Sequence, residues 1–377
     1  MITELPWRRL GSKDIAPKYQ GVRFRFHEVM DGMQVVRVKG FPFREGSTLG
    51  RGINATLAPL TFLLGAKSAA SPDVILVYSP PLTLGFTAYL FKRFHNIPFV
   101  FNVQDIYPQT PIELGLMKNG LFIKFSEWIE KFIYKKATRI VVHSQGNRHY
   151  LITRKSLPPE KINVIHNWID TEVLRPSERL NGFRQQHQLG NKFVVCYAGT
   201  MGYAQDLLPT IEAAHILKSD EDVLFLLVGE GIQEPRWKRE VEALGLKNVR
   251  FLPLQEKSIY PSIIAASDIG IVPLTQNLRT PVVPGKLLDF MAGGRPVIAT
   301  ANLDGDTAKI IREADCGYVF PPQVGRQVAN AILELYHNPK LANRLGTNGR
   351  IFAESHFSLK ISGSQYEELF KQLIDKK

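Results

Sequence analysis

Cysteine is nearly absent: 377 residues hold only Cys196 and Cys316, far apart and each inside an apolar stretch. Two isolated thiols exclude a disulfide framework and a cysteine-built metal site, and they suit a reducing compartment. A membrane-spanning segment is also lacking. The longest uncharged run, Val74 to Phe91, reaches 18 residues, but Ser79-Pro80-Pro81 divides it into a strand and a separate helix. Met1 to Asp14 has no apolar core before a cleavage site, so no signal peptide is read. The chain has no block of five or more basic residues, no zinc spacing and no RNA-binding aromatic signature, which argues against nucleic acid as the partner.

What is present is globular material: 44% hydrophobic, 22% charged and long enough for two domains. Lys and Arg number 47 against 35 Asp and Glu, a net charge of +12. That excess points to an anionic membrane face or a phosphate-bearing small substrate.

Apolar runs alternate with helical patterns almost throughout, the signature of parallel sheets covered by helices on both faces. In the first half, strands are expected near 74–79, 99–103, 139–143 and 162–166, preceded by a hairpin from Phe24 to Val38 around Asp31-Gly32. The second half predicts six strands, at 193–199, 223–229, 249–252, 269–273, 296–300 and 317–320. The polar, Pro-bearing stretch Ile169 to Phe183 reads as the linker. The first half looks incomplete, because Met1-Ile2-Thr3 leads straight into the loop ELPWRRLGSKD where a strand, a Gly-rich turn and a helix are expected. Either that domain is a reduced variant or its true N-terminus is missing, and the second is the reading taken.

In facing Rossmann-like domains, ligands bind beyond the carboxyl ends of the strands. Three loops there stand out. In YAGTMGYAQDL, the turn Gly199-Thr200-Met201-Gly202 precedes a helix expected near Gln205, so its N–H groups and the helix dipole can hold a phosphate. An ordinary β-α turn would look the same. In FLLVGEGIQ, Gly229 and Gly231 allow close approach of a ligand and Glu230 can accept hydrogen bonds, although a plain tight turn also fits. In GKLLDFMAGGRPVIAT, Pro284 and Gly285 open a short helix with Lys286 and Asp289 on one face. A carboxylate there can take both ribose hydroxyls while the lysine neutralises a diphosphate. The competing reading is a surface ion pair.

On the first-half side, Gln104-Asp105 follows the strand Phe99 to Val103. Asp105 can orient or deprotonate an acceptor hydroxyl, or it can be satisfied by the Tyr107-Pro108 turn. His143 and His166 also end strands, where a structural role is the usual one. Asp304-Gly305-Asp306 imitates a manganese-binding pattern but precedes the helix DTAKIIREA, where an N-cap is the expected role.

Taken together, the three loops and the stretch Asp268 to Thr300 resemble the nucleotide-sugar half of a GT-B glycosyltransferase, in the large family four of retaining enzymes. FVFNVQDIYPQTPIELG (Phe99 to Gly115), VIHNWIDTEVLRP (Val164 to Pro176) and FSLKISGSQYEELF (Phe357 to Phe370) are similar to that family's segments, so the likeness covers nearly the whole chain. The first half is especially similar to bacterial enzymes that build O-antigen, colanic acid and capsule, such as N-acetyl-fucosamine transferases, in which a β-α unit precedes the stretch like MITELP.

The resemblance implies an α/β fold of two Rossmann-like doubly wound domains facing across a cleft, the first lacking its opening β-α unit. The domains would be 1–172 with a C-terminal helix near 357–377, and 173–356. Implied too is transfer of a hexosyl or N-acetylaminosugar unit, with retention, from a nucleoside diphosphate sugar to a lipid-linked oligosaccharide or glycan. Donor binding would fall to Gly199, Thr200, Met201, Gly202, Gly229, Glu230, Pro284, Gly285, Lys286, Leu287 and Asp289, with Asp105 and Lys286 catalytic and neither cofactor nor metal required. The family's two spaced glutamates depart here to Pro281 and Asp289, and no base occupies the loop matching Gly199 to Asp206, which leaves Lys286 and Arg279 to meet the diphosphate. Cytoplasmic location at the anionic inner membrane face is expected, with apolar helices such as NATLAPLTFLLGA (Asn54 to Ala66) docking there. The competing readings are a non-catalytic nucleotide-sugar-binding remnant and a GT-B sugar-nucleotide epimerase.

Overall fold

The computed structural model describes residues 1–6, 17–40, 48–66 and 71–375. Most of the loop ELPWRRLGSKD lies outside the described residues. The first half contains β1 (Ile2–Glu4), β2 (Arg25–Met30), β3 (Met33–Val38), α1 (Thr48–Ala66), β4 (Ile75–Ser79), α2 (Leu84–His95), β5 (Phe99–Val103), α3 (Gln109–Glu113), α4 (Gly120–Lys136), β6 (Arg139–Val142), α5 (Gln145–Lys155) and β7 (Ile162–Val164).

β2 and β3 form the expected hairpin, and Asp31 and Gly32 both take positive φ, 50° and 77°. That geometry matches the twist of the two strands. Sequence reading leads the first residues straight into a loop, but Ile2 to Glu4 instead form a strand parallel to β3. β3 offers a hydrogen-bonding edge that β2 leaves open, and the short extended segment occupies it. β4, β5, β6 and β7 make a separate parallel sheet. Among the described residues α1 links the two sheets, packing on β1 and β3 on one side and on α2 on the other.

The second half contains α6 (Gly182–Gln186), β8 (Phe193–Ala198), α7 (Leu208–Ile216), β9 (Val223–Val228), α8 (Glu234–Ala243), β10 (Val249–Leu252), α9 (Tyr260–Ala266), β11 (Ile269–Pro273), α10 (Gly285–Ala292), β12 (Val297–Thr300), α11 (Asp306–Glu313), β13 (Gly317–Phe320), α12 (Gly325–His337), α13 (Pro339–His356) and α14 (Leu359–Ile374). Its six parallel strands run β10-β9-β8-β11-β12-β13. Chain order reverses between β8 and β11, and that reversal opens a crevice at their carboxyl ends.

Central strands are apolar on both faces because helices cover both faces, and β9, β11 and β12 are buried along their whole length. Helix α10 lies hard against β11: a side chain at Gly270 would begin 2.1 Å from the Phe290 ring. Only glycine admits that approach, so Gly270 sets the height of the site helix above the sheet.

The chain crosses between halves twice, side by side. The Ile169 N–H donates to the Phe357 carbonyl at 2.8 Å and the Leu359 N–H to the Ile169 carbonyl at 3.0 Å. Helix α14 then returns to the first half, burying Tyr366, Leu369 and Leu373 against Val100, Val141 and Ile165. No helix among the described residues is long and apolar enough to cross a membrane.

At the amino ends of β8 and β11, Asp268 accepts from the Val194 N–H at 2.7 Å and from the buried Arg184 guanidinium at 2.8 Å. Arg184 is 2% exposed, so removing its counter-charge leaves a buried cation unpaired. Asp268→Ala should destabilise the fold by about 3–5 kcal/mol, read from the urea midpoint. An unchanged midpoint would refute this role.

Candidate active site

A cavity of about 320 Å³ opens between the halves. Tyr78, Gln104, Asn167, Trp168 and Ile169 line one wall, and Gly285, Leu288 and Asp289 of α10 line the other. Strand ends β4 and β5 therefore face the first turn of α10, as the switch-point rule requires. Pro284 caps α10, and nothing lies within 4 Å of where a side chain at Gly285 would begin. The Leu287 N–H donates to the Pro284 carbonyl at 3.0 Å, which leaves the Gly285 and Lys286 N–H groups at the start of the helix without an intrahelical acceptor.

Lys286 and Asp289 stand on that helix, partly buried, with neither making an ion pair among the described residues. The Tyr260 hydroxyl donates to Asp289 Oδ2 at 2.7 Å, and Lys286 Nζ lies 5.3 Å from the centroid of the Tyr197 ring. Desolvation dominates both titrations: it raises the Asp289 pKa to about 6, against the opposing Tyr260 hydrogen bond, and lowers that of Lys286 to about 8. The two attract each other electrostatically, but they are partly buried and form no ion pair among the described residues, so the surface ion pair is not observed. Leu287 and Pro284 are buried beneath the site.

The turn after β8 departs from expectation. The Gly199 N–H donates to the Val228 carbonyl and the Met201 N–H to the Glu230 carbonyl, while the Gly202 N–H donates to Gln205 Oε1 at 3.1 Å. Of the four N–H groups read as a phosphate cradle, only that of Thr200 is left over. Helix α7 begins at Leu208 rather than near Gln205, and the Met201 side chain is fully buried in the core. The neighbouring strand end uses these donors, a tertiary pairing that a local pattern does not reveal.

Gly199 takes φ 138°, a backbone conformation that favours glycine, and its Cα side lies next to the Lys286 stem. Gly229 and Gly231 admit not a ligand but the backbone of this same turn. Side chains at those two positions would begin 1.9 Å from the Gly199 carbonyl oxygen and 2.4 Å from that of Met201. Glu230 sits partly buried between them.

Next to Gln104 in the chain, Asp105 is exposed to solvent, and desolvation raises its pKa. It accepts no hydrogen bond from the Tyr107-Pro108 turn, so the turn-capping alternative fails. Gln104 is held in place, donating to Asn102 Oδ1 at 2.9 Å and accepting from Asn167 Nδ2 at 3.0 Å. Buried His143 lies 2.9 Å from Asn102 Oδ1, and burial lowers its pKa to about 4. His166 in turn contacts the His143 carbonyl at 2.8 Å. Both histidines are struts behind Gln104.

The segment before α10 is fastened to the first half. Glu113 Oε2 accepts from the Arg279 and Thr280 N–H groups, each at 2.8 Å, and from the Thr280 hydroxyl at 3.1 Å. Asn147 Nδ2 donates to the Pro281 carbonyl at 2.8 Å. Arg279 lines a different cavity of about 450 Å³ with Asp304 and Asp306, so its expected place beside Lys286 is not observed. Gly305, not an aspartate, caps α11, and Asp306 is the first helical residue, 6% exposed. Sequence reasoning missed Tyr260, Asn167 and Glu113, which no motif spacing connects to Asp289.

Comparison with known proteins adds the following. Residues 192–338 match the family described as "Glycosyl transferases group 1", and residues 13–168 match "Glycosyl transferase 4-like domain". A probable glycosyltransferase, WbjE of Pseudomonas aeruginosa, is 25% identical over 86% of this chain and 81% of its own. The putative colanic acid biosynthesis glycosyl transferase WcaI of Escherichia coli is 27% identical over 64% and 60%. The Anabaena protein HepE, solved in complex with UDP, superposes with a TM-score of 0.70 at 18% identity, covering 90% of this chain and 86% of its own. The architecture is thus the GT-B arrangement, as expected.

If the two charges hold a nucleoside diphosphate, affinity depends on pH in a defined sense. Below about 6, Asp289 takes a proton and stops accepting from hydroxyls; above about 8, Lys286 loses its charge. Calorimetric affinity should fall on both sides of that window. A profile flat through both limits would contradict the assignment.

Proposed function

Taking the chain as a group 1 glycosyltransferase, whose two family segments its halves match in turn, we propose that it moves a hexosyl or N-acetylaminosugar unit. The donor is a nucleoside diphosphate sugar and the acceptor a lipid-linked or glycan hydroxyl in bacterial surface polysaccharide synthesis. The observation that carries this reading is Asp289 of α10 facing Gln104 across one cavity, with Lys286 on the same helix and no ion pair between the two charges. Asp289 accepts from the ribose hydroxyls. Lys286 and the open N–H groups of α10 take the diphosphate, where negative charge grows as the glycosidic oxygen leaves. Gly199, Thr200 and Gly202 flank the diphosphate beside Lys286, and Glu230 the nucleoside end. This charge stabilisation uses no metal.

The acceptor hydroxyl attacks the anomeric carbon from the face that the diphosphate leaves, which retains configuration. Its oxygen bonds to that carbon as the carbon–phosphate-oxygen bond breaks. Asp105, its pKa raised by desolvation, orients the hydroxyl, and the proton passes to the departing phosphate oxygen. Support for the pathway comes from the relative named for colanic acid biosynthesis, and for the donor from the structural neighbour solved with UDP. A lipid-linked acceptor places the enzyme at the inner face of the cytoplasmic membrane, in keeping with its net charge of +12. A second reading, donor binding without transfer, draws on the division of the first half into two sheets.

Transfer assays with labelled UDP-, dTDP- and GDP-sugars and a short-chain polyprenyl diphosphate saccharide separate the two. Asp105→Asn should lower kcat about a hundredfold with the donor KM unchanged, and NMR of the product should show the donor's anomeric configuration. Nucleotide binding without transfer to any acceptor would favour the second reading.

A further inference from the structure

Helix α4 buries one face and leaves an aromatic ridge on the other. Ser126, Ile129, Ile133 and Tyr134 are buried, whereas Leu121, Phe125 and Trp128 are 81%, 49% and 56% exposed. Three- and four-residue steps put those three side chains in one line along the helix. The ridge is rigid. The Phe125 and Trp128 rings stack at 6.0 Å and 17°, and Trp128 stacks on Phe132 at 6.0 Å and 25°. Phe132 is itself wedged against Phe86 and Tyr89 of α2. Lys124, Lys131 and Lys135 are exposed along one flank of the line, with Glu127 the acid among them.

We propose that the Leu121-Phe125-Trp128 ridge of α4 seats the protein on an anionic bilayer, its lysines meeting lipid phosphates. The inference rests on the membrane-borne acceptor proposed above and names the surface that reaches it. Charge complementarity selects the occupant. Three lysines against one acid suit an anionic interface, and their long stems let the ammonium groups rise to the headgroups while the rings enter the acyl boundary. Tryptophan favours that depth, with an apolar body and a single N–H donor. A second copy of the chain would set these lysines against their equivalents, which opposes pairing.

Position agrees. Asn119 caps α4 by accepting from the Leu121 and Phe122 N–H groups at 3.0 and 3.1 Å. The turn before it leads back to α3, whose Glu113 holds the segment ahead of the donor helix. The ridge therefore follows closely in the chain on the residue that ties the segment before α10 to the first half. Helix α1, the docking helix expected from sequence, exposes Leu60 and Leu64 at 53% and 56%, but from Asn54 to Ala66 it carries no charge to meet a headgroup.

The test is co-sedimentation of the purified chain with vesicles of phosphatidylcholine alone or mixed with phosphatidylglycerol, alongside calorimetric titration with UDP. The native chain should sediment with the anionic vesicles only. Phe125→Glu with Trp128→Glu, and separately Lys124→Glu with Lys131→Glu and Lys135→Glu, should each cut partitioning at least tenfold, while Leu64→Glu leaves it unchanged. Nucleotide affinity retained in every variant shows an intact fold and keeps the two readings separable. Vesicle binding without nucleotide binding would sink the donor assignment and spare the ridge. No binding by the native chain, unchanged partitioning in both multiple variants, or self-association abolished by the aromatic variants without vesicle binding would overturn the proposal.

Discussion

Lys286 and Asp289 are held apart on one helical face instead of being allowed to neutralise each other, and the surrounding structure is arranged to permit it. Taking charges out of water without pairing them is unfavourable, and the opposed pKa displacements of the two groups express that penalty. Compensation is partial: the Tyr260 hydroxyl donates to the carboxylate, the Tyr197 ring lies beside the ammonium, and the two charges attract each other without forming an ion pair. Gly270 lets the helix sit low on β11. A ligand offering two hydroxyls and a diphosphate would satisfy what the protein leaves unmet.

The facing half contributes by fixing where the cleft closes. Glu113 binds the segment before α10 with three hydrogen bonds, and Asn147 takes the carbonyl of Pro281. Pro281 occupies a position where the family pattern places a glutamate. Here a carboxylate still fastens the segment before α10, but it comes from the opposite half. The two adjacent crossings at Ile169 and Phe357 form the other boundary of the cleft, so the site is clasped on both sides.

Much of this was legible in the residues. Strand positions followed from apolar runs of the right length, because a strand buried on both faces needs no polar residue along it. The hairpin followed from Asp31-Gly32, and Lys286 with Asp289 from their spacing on a helix that opens at a strand end. What stayed hidden depends on partners distant in sequence. Tyr260 reaches Asp289 only because α9 and α10 lie on one face of the sheet, and Glu113 meets Thr280 only across the cleft. The N–H groups of Gly199 to Gly202 looked free because sequence alone does not show that Val228 and Glu230 present carbonyls to them. Strand β1 escaped notice because three residues carry too little pattern.

One experiment bears most directly on whether the two charges serve a ligand or the fold. Thermal unfolding of the ligand-free chain and calorimetric titration with UDP would be run on the native protein and on Lys286→Met and Asp289→Leu. Charges retained for a ligand at the expense of stability predict a Tm equal to or above native in both variants, with UDP affinity reduced at least tenfold, about 1.4 kcal/mol. A lowered Tm with UDP affinity unchanged would contradict the account and return the pair to a structural role.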